Sequence, residues 1–407
     1  VGVLSDLARY DNCYSTSQTV MVDGSSKEAQ SATRFQNMAN VLDSVDRDIQ
    51  YFVCQWGIGT NVGVWASAIG NTWRISNDIY NAWRSIWRIT NQVVPYYKHT
   101  KAGAFADMDM LIVGLDALSV EEERFHFGMW AINKSPLIIG AVLNSLSLSS
   151  ASVDILSNKE VIAINQDSLA KQAQLVQRFT EEEWDVWLGN LSDNRKILGV
   201  ANWKNDSQTV AVNLASFGIA SATARDVWRA TDIGSVDGVQ NTTLAGHELK
   251  LWVLSDITTT SLKPVGYYSV ANATLGGTAR LVSCADQECA PTSQKVTNIT
   301  ADASVIFQAV NAEASGRKLV GVDFINYDYA FQTAWDLGSN ILNMTIAVNG
   351  GKMKRWAFPL SGGDWWESER LLIELDGFVA GRNNSVEFRS HAADIRAPDL
   401  VGFEIFE

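Results

Sequence analysis

Helical periodicity stops near residue 170, and that break constrains the fold more than any other feature of the chain. Before it, apolar runs at 4–11, Ile49 to Cys54, Trp73 to Ser76, Ala104 to Asp109 and Pro136 to Gly140 alternate with stretches at helical spacing. Ala32, Phe35, Met38, Leu42 and Val45 mark a helix over 27–47 that Ser25 and Ser26 can cap. Trp83, Ile86, Trp87 and Ile89 mark a second, ending near Pro95. Ser119-Val120-Glu121-Glu122 is a capping box that opens a third, running through Ile132. Two short helices then lead to Asn165-Gln166-Asp167. The unbroken apolar run Pro136 to Gly140 suits a strand buried on both faces. Regular alternation of strand and helix is the rhythm of a parallel barrel, which places its chemistry at the C-terminal ends of the strands.

After the break only short alternating segments remain: Trp184–Leu188, Ile197–Trp203, Thr209–Asn213, Ala224–Trp228 and Glu248–Leu254. These describe an antiparallel β domain. The polar stretch 258–264 ends in Pro264 and reads as a linker. Residues 265–407 return to short strands with Gly-Gly turns at 276–277, 350–351 and 362–363, as in a further β-sandwich. The expected organisation is therefore α/β plus all-β. A partial (β/α)8 barrel over 1–168 precedes an antiparallel β-sandwich over 169–257, the linker 258–264, and a last β-sandwich over 265–407. A length of 407 residues suits two to three domains.

Charge and cysteine usage narrow the setting. A net charge of −13 argues against nucleic acid or an anionic membrane as partner. No apolar run is long enough to span a bilayer. No signal peptide is visible, but Asn-x-Ser/Thr sequons at Asn190, Asn205, Asn241, Asn272, Asn298, Asn343 and Asn383 suit a secreted glycoprotein whose leader has been removed. A further sequon, at Asn133, sits in an apolar stretch and should be buried and unmodified. Of the 4 cysteines, Cys284 and Cys289 can close a short disulfide loop. Cys13 and Cys54 would lie at neighbouring strand ends, either paired or with one lacking its partner. No metal or cofactor is implied, and His126 has no base or metal constellation around it. Phe125, Phe127 and Trp130 read as core.

Two carboxylates stand out. Asp11 closes the first run, in Arg9-Tyr10-Asp11-Asn12-Cys13, and Asp78 follows the third, after Trp73-Arg74-Ile75-Ser76-Asn77. On a parallel barrel both would face the same mouth. Hydrolysis of a glycosidic bond with retention requires such a pair, about 5 Å apart. In order and with their neighbours, these motifs resemble glycoside hydrolase family 27, the melibiase (α-galactosidase) family, in its fungal form. The residues that carry the match are Tyr-Asp-Asn-Cys (10–13), Cys-Gln-Trp-Gly (54–57), Trp-Arg-x-x-x-Asp-Ile (73–79), Asp-Met-Asp-Met-Leu (107–111), Met129 to Leu137, and Ile-Asn-Gln-Asp (164–167). The resemblance covers about residues 1–256.

It implies a retaining, exo-acting hydrolase of terminal α-linked galactose in galacto-oligosaccharides or galactomannan. Asp11 would be the nucleophile and Asp78 the acid/base. Arg74 and Asp109 would hold galactose hydroxyls, while Cys54, Trp56 and Met110 would line the sugar pocket. The family usually has Lys where this chain has Arg9, also placed near the sugar; a guanidinium is wider and forks differently. Asp107 is expected to be structural. The nearest alternatives within the enzyme class are α-N-acetylgalactosaminidase and β-L-arabinopyranosidase.

The last 140 or so residues look like a carbohydrate-binding module of the galactose-binding-like sandwich type, taking plant-type polysaccharide. The cue is Gly377 to Phe388 followed by Ala397-Pro398-Asp399-Leu400. Asp364, Trp365 and Trp366 are candidates for its sugar platform, or else a structural tryptophan pair. Strand candidates number only about five, where a barrel of this type has eight; the family's first three βα units have no counterpart here. The expectation is that they belong ahead of Val1. The competing readings are an N-terminal piece supplied separately, or a non-catalytic galactoside-binding chain.

Overall fold

A computed structural model describes residues 6–12, 24–57, 61–143, 148–328, 340–392 and 394–407, with backbone alone over 24–30. Cys13 and the side chains of Ser25 and Ser26 lie outside the described residues. The chain forms two compact units.

The first unit holds Val1–Ala173, Gly189–Asp193 and Asp328–Asn340. Among the described residues its sheet has four parallel strands in sequence order: β1 (Asp6–Asp11), β2 (Ile49–Cys54), β3 (Thr72–Arg74) and β4 (Phe105–Asp107). The helices are α1 (Gly24–Asp43), α2 (Gly63–Ala66), α3 (Trp83–Gln92), α4 (Val120–Ile132), α5 (Ser150–Leu156) and α6 (Lys159–Asn165). The Ser119 capping box is present, with Ser119 accepting from the Glu122 N–H and Glu122 accepting from that of Ser119.

Register is what prepares the site. Asp11 pairs with Cys54, Val53 pairs with Trp73, and Arg74 pairs with Asp107. The strands therefore finish level with one another. Their last residues form a row of polar side chains along one edge of the sheet.

The expected fifth strand does not form. Leu111 and Ile139 make a single parallel bridge, and Ile138 is 40% exposed where two-sided burial had been expected. Two local features explain the difference. Asp109 has φ 80°, so the chain leaves the sheet just beyond β4. Pro136, at the other side, has no N–H to give a ladder.

A lock joins the two later motifs. Lys134, at φ 60° beyond α4, donates its ammonium to the Ile164 carbonyl at the end of α6, and Asn165 Nδ2 donates to Ser135 O at 2.9 Å. Burial pulls the Lys134 pKa down to about 8, against the pull of Asp167. Between about pH 8 and pH 10.5 the unfolded chain thus binds a proton that the native chain has released. Native stability is expected to rise across that window and to lose the gain as pH falls through 8. Urea midpoints at pH 7.5 and 9.5 check this. A Lys134→Gln variant should lack the rise, and a rise of equal size in both proteins would refute the assignment.

The second unit holds Gln174–Leu188, Asn194–Tyr327 and Ile341–Glu407. In its first part, Trp184–Asn190, Lys196–Asn202, Ile219–Asp226 and Leu249–Thr259 lie in one antiparallel sheet. Val210 and Val212 of the separate antiparallel strand pair Gln208–Asn213/Val239–Leu244 close its core, where Phe179 stacks on Trp184 at 3.9 Å. Gln174–Phe179, Thr231–Asp237 and Val239–Leu244 are strands that alternation alone did not mark. In the second part, a five-stranded sheet faces strands Gly316–Ile325 and Asp399–Phe406, with Phe307 and Phe388 packed on Phe403 at 4.9 and 5.5 Å. That is a β-sandwich. Gln174–Phe179 joins the two parts by pairing with Glu369–Phe378 at Gln177 and Leu372.

The Cys284–Cys289 disulfide is formed. The sequons at Asn190, Asn205, Asn241, Asn272, Asn298 and Asn383 are exposed and Asn343 is half-buried, while Asn133 is fully buried and donates to Met129 O. No described helix is long and apolar enough to cross a membrane.

Candidate active site

At the level strand ends of the first unit lies a cavity of about 240 Å³, lined by Arg9, Cys54, Arg74, Asp107 and Met110, with Leu7 and Ile138 on its apolar side. Arg74 organises it. Its side chain is 4% exposed, and its Nε lies 3.0 Å from Asp107 Oδ2. Its Nη1 lies 2.6 Å from Asp109 Oδ2 and 3.2 Å from Asp78 Oδ1. Burial alone would lower the arginine's pKa. Asp107 and Asp109 more than reverse this, so the guanidinium is locked in its charged form.

Asp109 is held on every side. Its carboxylate accepts from the N–H groups of Ile79 (2.8 Å) and Met110 (2.7 Å), and its carbonyl accepts from the indole N–H of Trp130 in α4 (2.7 Å). Burial pushes its pKa up while Arg74 and the two N–H groups pull it down, and burial prevails. Asp107 accepts from Arg74 and from the Asp109 N–H at 2.7 Å, and it also lines the cavity.

Asp11 ends β1 with its side chain 37% exposed, 3.3 Å from Arg9 Nη2. The same Nη2 donates to Cys54 Sγ at 3.0 Å. Arg9 therefore forks between the carboxylate and the thiol, which a lysine could do only as a point charge. Cys54 is free, and burial pushes its thiol up to about 12 against the pull of Arg74 and Arg9. It is a neutral thiol at physiological pH, not a nucleophile. Of the two alternatives for Cys54, the structure has the unpaired one. Asp78 lies in the loop after β3 with its side chain 73% exposed.

The structure thus gathers Arg9, Cys54, Arg74 and Met110 around one cavity, and ties Asp11 to it through Arg9 and Asp78 and Asp109 through Arg74. Trp56 does not line the cavity; it is buried at φ 78°, its N–H donating to Arg74 O at 3.1 Å. Gly57 follows at φ 64°, and a Cβ there would lie 2.2 Å from the Ile75 carbonyl oxygen. Gly57→Ala is expected to lower stability by about 3 kcal/mol or more, because the obstacle is main chain and cannot swing away. Thermal melting checks it; a shift under about 2 °C would show that the turn yields.

Two residues without a sequence signal stand behind the aspartates: Arg34 in α1 and Arg88 in α3. Helical periodicity marks the apolar face, and neither belongs to it. His126 is fully buried, accepts from the Ile112 N–H at 2.9 Å, and is pushed by burial down to about 3, so it is a neutral structural acceptor. Among the described residues no His, Cys, Asp and Glu side chains are grouped to hold a metal.

In the second unit, Arg396 lies over Trp365 at 4.8 Å and Lys295 over Trp366 at 4.3 Å. Asp364 accepts from the N–H groups of Trp366 and Glu367. The tryptophan pair is thus built into a cation–π cluster, with Trp366 still 37% exposed.

Residues 3–167 match the family described as Alpha galactosidase A, and residues 181–254 match the Alpha galactosidase C-terminal beta sandwich domain. The probable alpha-galactosidase D of Aspergillus flavus is 31% identical over 510 aligned positions, spanning 98% of this chain and 77% of that protein. The alpha-galactosidase D of Emericella nidulans is 30% identical, spanning 99% of this chain and 77% of that protein. Among solved structures, alpha-galactosidase I from Mortierella vinacea superposes with a TM-score of 0.56 at 27% identity, covering 63% of this chain and 69% of that one. With relatives aligned along nearly its whole length and both domains matched in order, the chain is a glycosidase of glycoside hydrolase family 27, the melibiase family.

Proposed function

We propose that this chain releases terminal α-linked galactose from galacto-oligosaccharides or galactomannan by double displacement with retention. One observation carries the proposal: register sets Asp11 beside Cys54 on one side of the cavity, while Arg74 holds Asp78, Asp107 and Asp109 on the other. The Asp11 carboxylate attacks the anomeric carbon as Asp78 protonates the departing oxygen. Asp78 then takes a proton from water, which attacks the same carbon, breaks the ester to Asp11 and restores the α configuration. Arg9, Arg74, Asp109 and the neutral Cys54 thiol offer hydrogen bonds to ring hydroxyls, and Met110 supplies an apolar contact.

Proton NMR of p-nitrophenyl α-galactoside hydrolysis tests this directly. The α anomer of galactose should appear first. If the β anomer leads, double displacement is wrong. Absence of turnover would favour a glycan-binding chain, and preference for the α-N-acetylgalactosaminide or β-L-arabinopyranoside would move the substrate within the family.

The same proposal extends to the rest of the chain. The sandwich after the linker is galactose-binding-like and takes plant-type polysaccharide, with the open part of Trp366 as its contact. The protein is a secreted glycoprotein, a reading supported by the exposed sequons. Loss of galactomannan retention by Trp366→Ala on affinity gels, and a mobility shift on enzymatic deglycosylation of protein from a eukaryotic host, are the expected results.

A further inference from the structure

Arg34 and Arg88 stand in the same relation to the two aspartates. Each belongs to the helix that follows its aspartate's strand, Arg34 to α1 after β1 and Arg88 to α3 after β3. Each reaches back to main chain. Arg34 Nη1 donates to the Asp11 carbonyl at 3.3 Å, and its Nη2 donates to Asn12 Oδ1. Arg88 Nη2 donates to the Asn77 carbonyl at 3.3 Å and to the Asp78 carbonyl at 3.0 Å. Each also lies over a tyrosine within two residues of its aspartate in sequence. Arg34 is 5.3 Å from the Tyr10 ring and 4.7 Å from that of Phe35, and Arg88 is 5.8 Å from the Tyr80 ring.

The arrangement is costly enough to call for a purpose. Arg88 is 1% exposed, and burial lowers its pKa. A guanidinium is tolerated in such a place only when its donors are used. At least part of that hydrogen bonding goes to the segment that carries Asp78. The two carboxylates are themselves 37% and 73% exposed, so packing around them does not fix their place. Their main chain has to serve as the reference. Double displacement demands a particular separation of the two groups, and small misplacements are expensive in rate.

We propose that Arg34 and Arg88 are a matched pair of positioning residues that hold the main chain of Asp11 and Asp78 and so set the distance between the two carboxyl groups. This rests on the double-displacement reading. Neither arginine lines the cavity. Lysine at either position keeps a charge but replaces a rigid plane of donors, two nitrogens in Arg34 and the two N–H groups of Nη2 in Arg88, with one rotating ammonium.

The test compares kcat/KM for dinitrophenyl and phenyl α-galactosides on the full chain, since that parameter reports formation of the glycosyl-enzyme. Dinitrophenolate leaves without a proton, whereas phenolate needs Asp78 as acid. Arg88→Lys should therefore lose about ten- to a hundredfold on the phenyl substrate and less than about threefold on the dinitrophenyl one. Arg34→Lys should lose about ten- to a hundredfold on both, because both need Asp11. The ratio between substrates within one sample does not depend on how much of it is folded, so a poorly folding Arg88→Lys still reports; for Arg34→Lys the loss is expressed per mole of folded protein, taken from the circular dichroism of the same sample. Equal losses on both substrates in both variants, or wild-type values in either, overturn the proposal. Asp78→Asn is the reference. If it shows no dependence on the leaving group, the acid/base reading fails; if it does and Arg88→Lys does not, only the positioning role fails. A chain with no turnover at all removes both.

Discussion

Asp11→Asn is expected to reduce turnover of any α-galactoside by at least about 10³-fold, whatever the leaving group. The substitution is nearly isosteric. The amide keeps one oxygen for the Asn12 N–H, which donates to Asp11 Oδ1, while the partly exposed Arg9, which loses its acceptor at Oδ2, can turn to water. Folding should therefore survive while the nucleophile is gone. Asp78→Asn should behave differently. Its loss is about 10²- to 10⁴-fold for poor leaving groups and shrinks for activated ones, as the removal of a general acid requires. Azide separates the two cases. In Asp78→Asn the glycosyl-enzyme still forms from an activated substrate, and azide can attack it without a base. The C–N bond forms as the ester to Asp11 breaks, and the product is α-galactosyl azide. In Asp11→Asn azide can act only in place of the missing carboxylate and gives the β azide. Full activity in either variant, or the opposite pairing of azide anomers, would show that the roles are wrongly assigned.

Arg74→Met should be among the most destabilising single changes in the first unit, at about 3–5 kcal/mol. The loss of one charge is not the main cause. Asp107 and Asp109 have side chains 9% and 6% exposed, and without Arg74 both become buried carboxylates whose chief counter-charge has gone. The pH dependence follows from Asp109. Burial already holds its pKa above the ordinary value, with Arg74 opposing. Removing the opposition raises the native pKa further above that of the unfolded chain. The native variant then binds protons that the unfolded chain does not, and it loses stability as pH rises through that window. The gap between wild type and variant should accordingly be wider at pH 8 than at pH 5 in urea unfolding. A gap below about 1 kcal/mol, or one that narrows with rising pH, would mean that water reaches these carboxylates when Arg74 is absent.

The alternation of strand and helix, the Ser119 capping box and the boundaries of β2 were legible in the sequence because each depends on neighbours within a few residues. So were the chemical types at the strand ends, since a carboxylate, a thiol and a guanidinium that close short apolar runs are open to view. The failures have a common cause. Pro136 to Gly140 is as apolar as a buried strand, yet whether it joins a sheet depends on Asp109, far from it in sequence, turning the chain away at φ 80°. Trp365 and Trp366 read equally as a sugar platform or a structural pair, and only the fold shows Arg396 and Lys295 lying over them.

By itself, then, the sequence determined the first four strands and the longer helices of the first unit and which residue types could do chemistry there. Only the tertiary structure decided which of those residues meet. It set Arg74 among three aspartates, forked Arg9 between Asp11 and Cys54, and brought Arg34 and Arg88 behind the aspartates from the following helices. The physical reason is that periodicity encodes which face of an element is buried. Where the polar tip of a long side chain ends up is set by strand register and by the helix packed behind the strand, and neither is written in any single stretch of the chain.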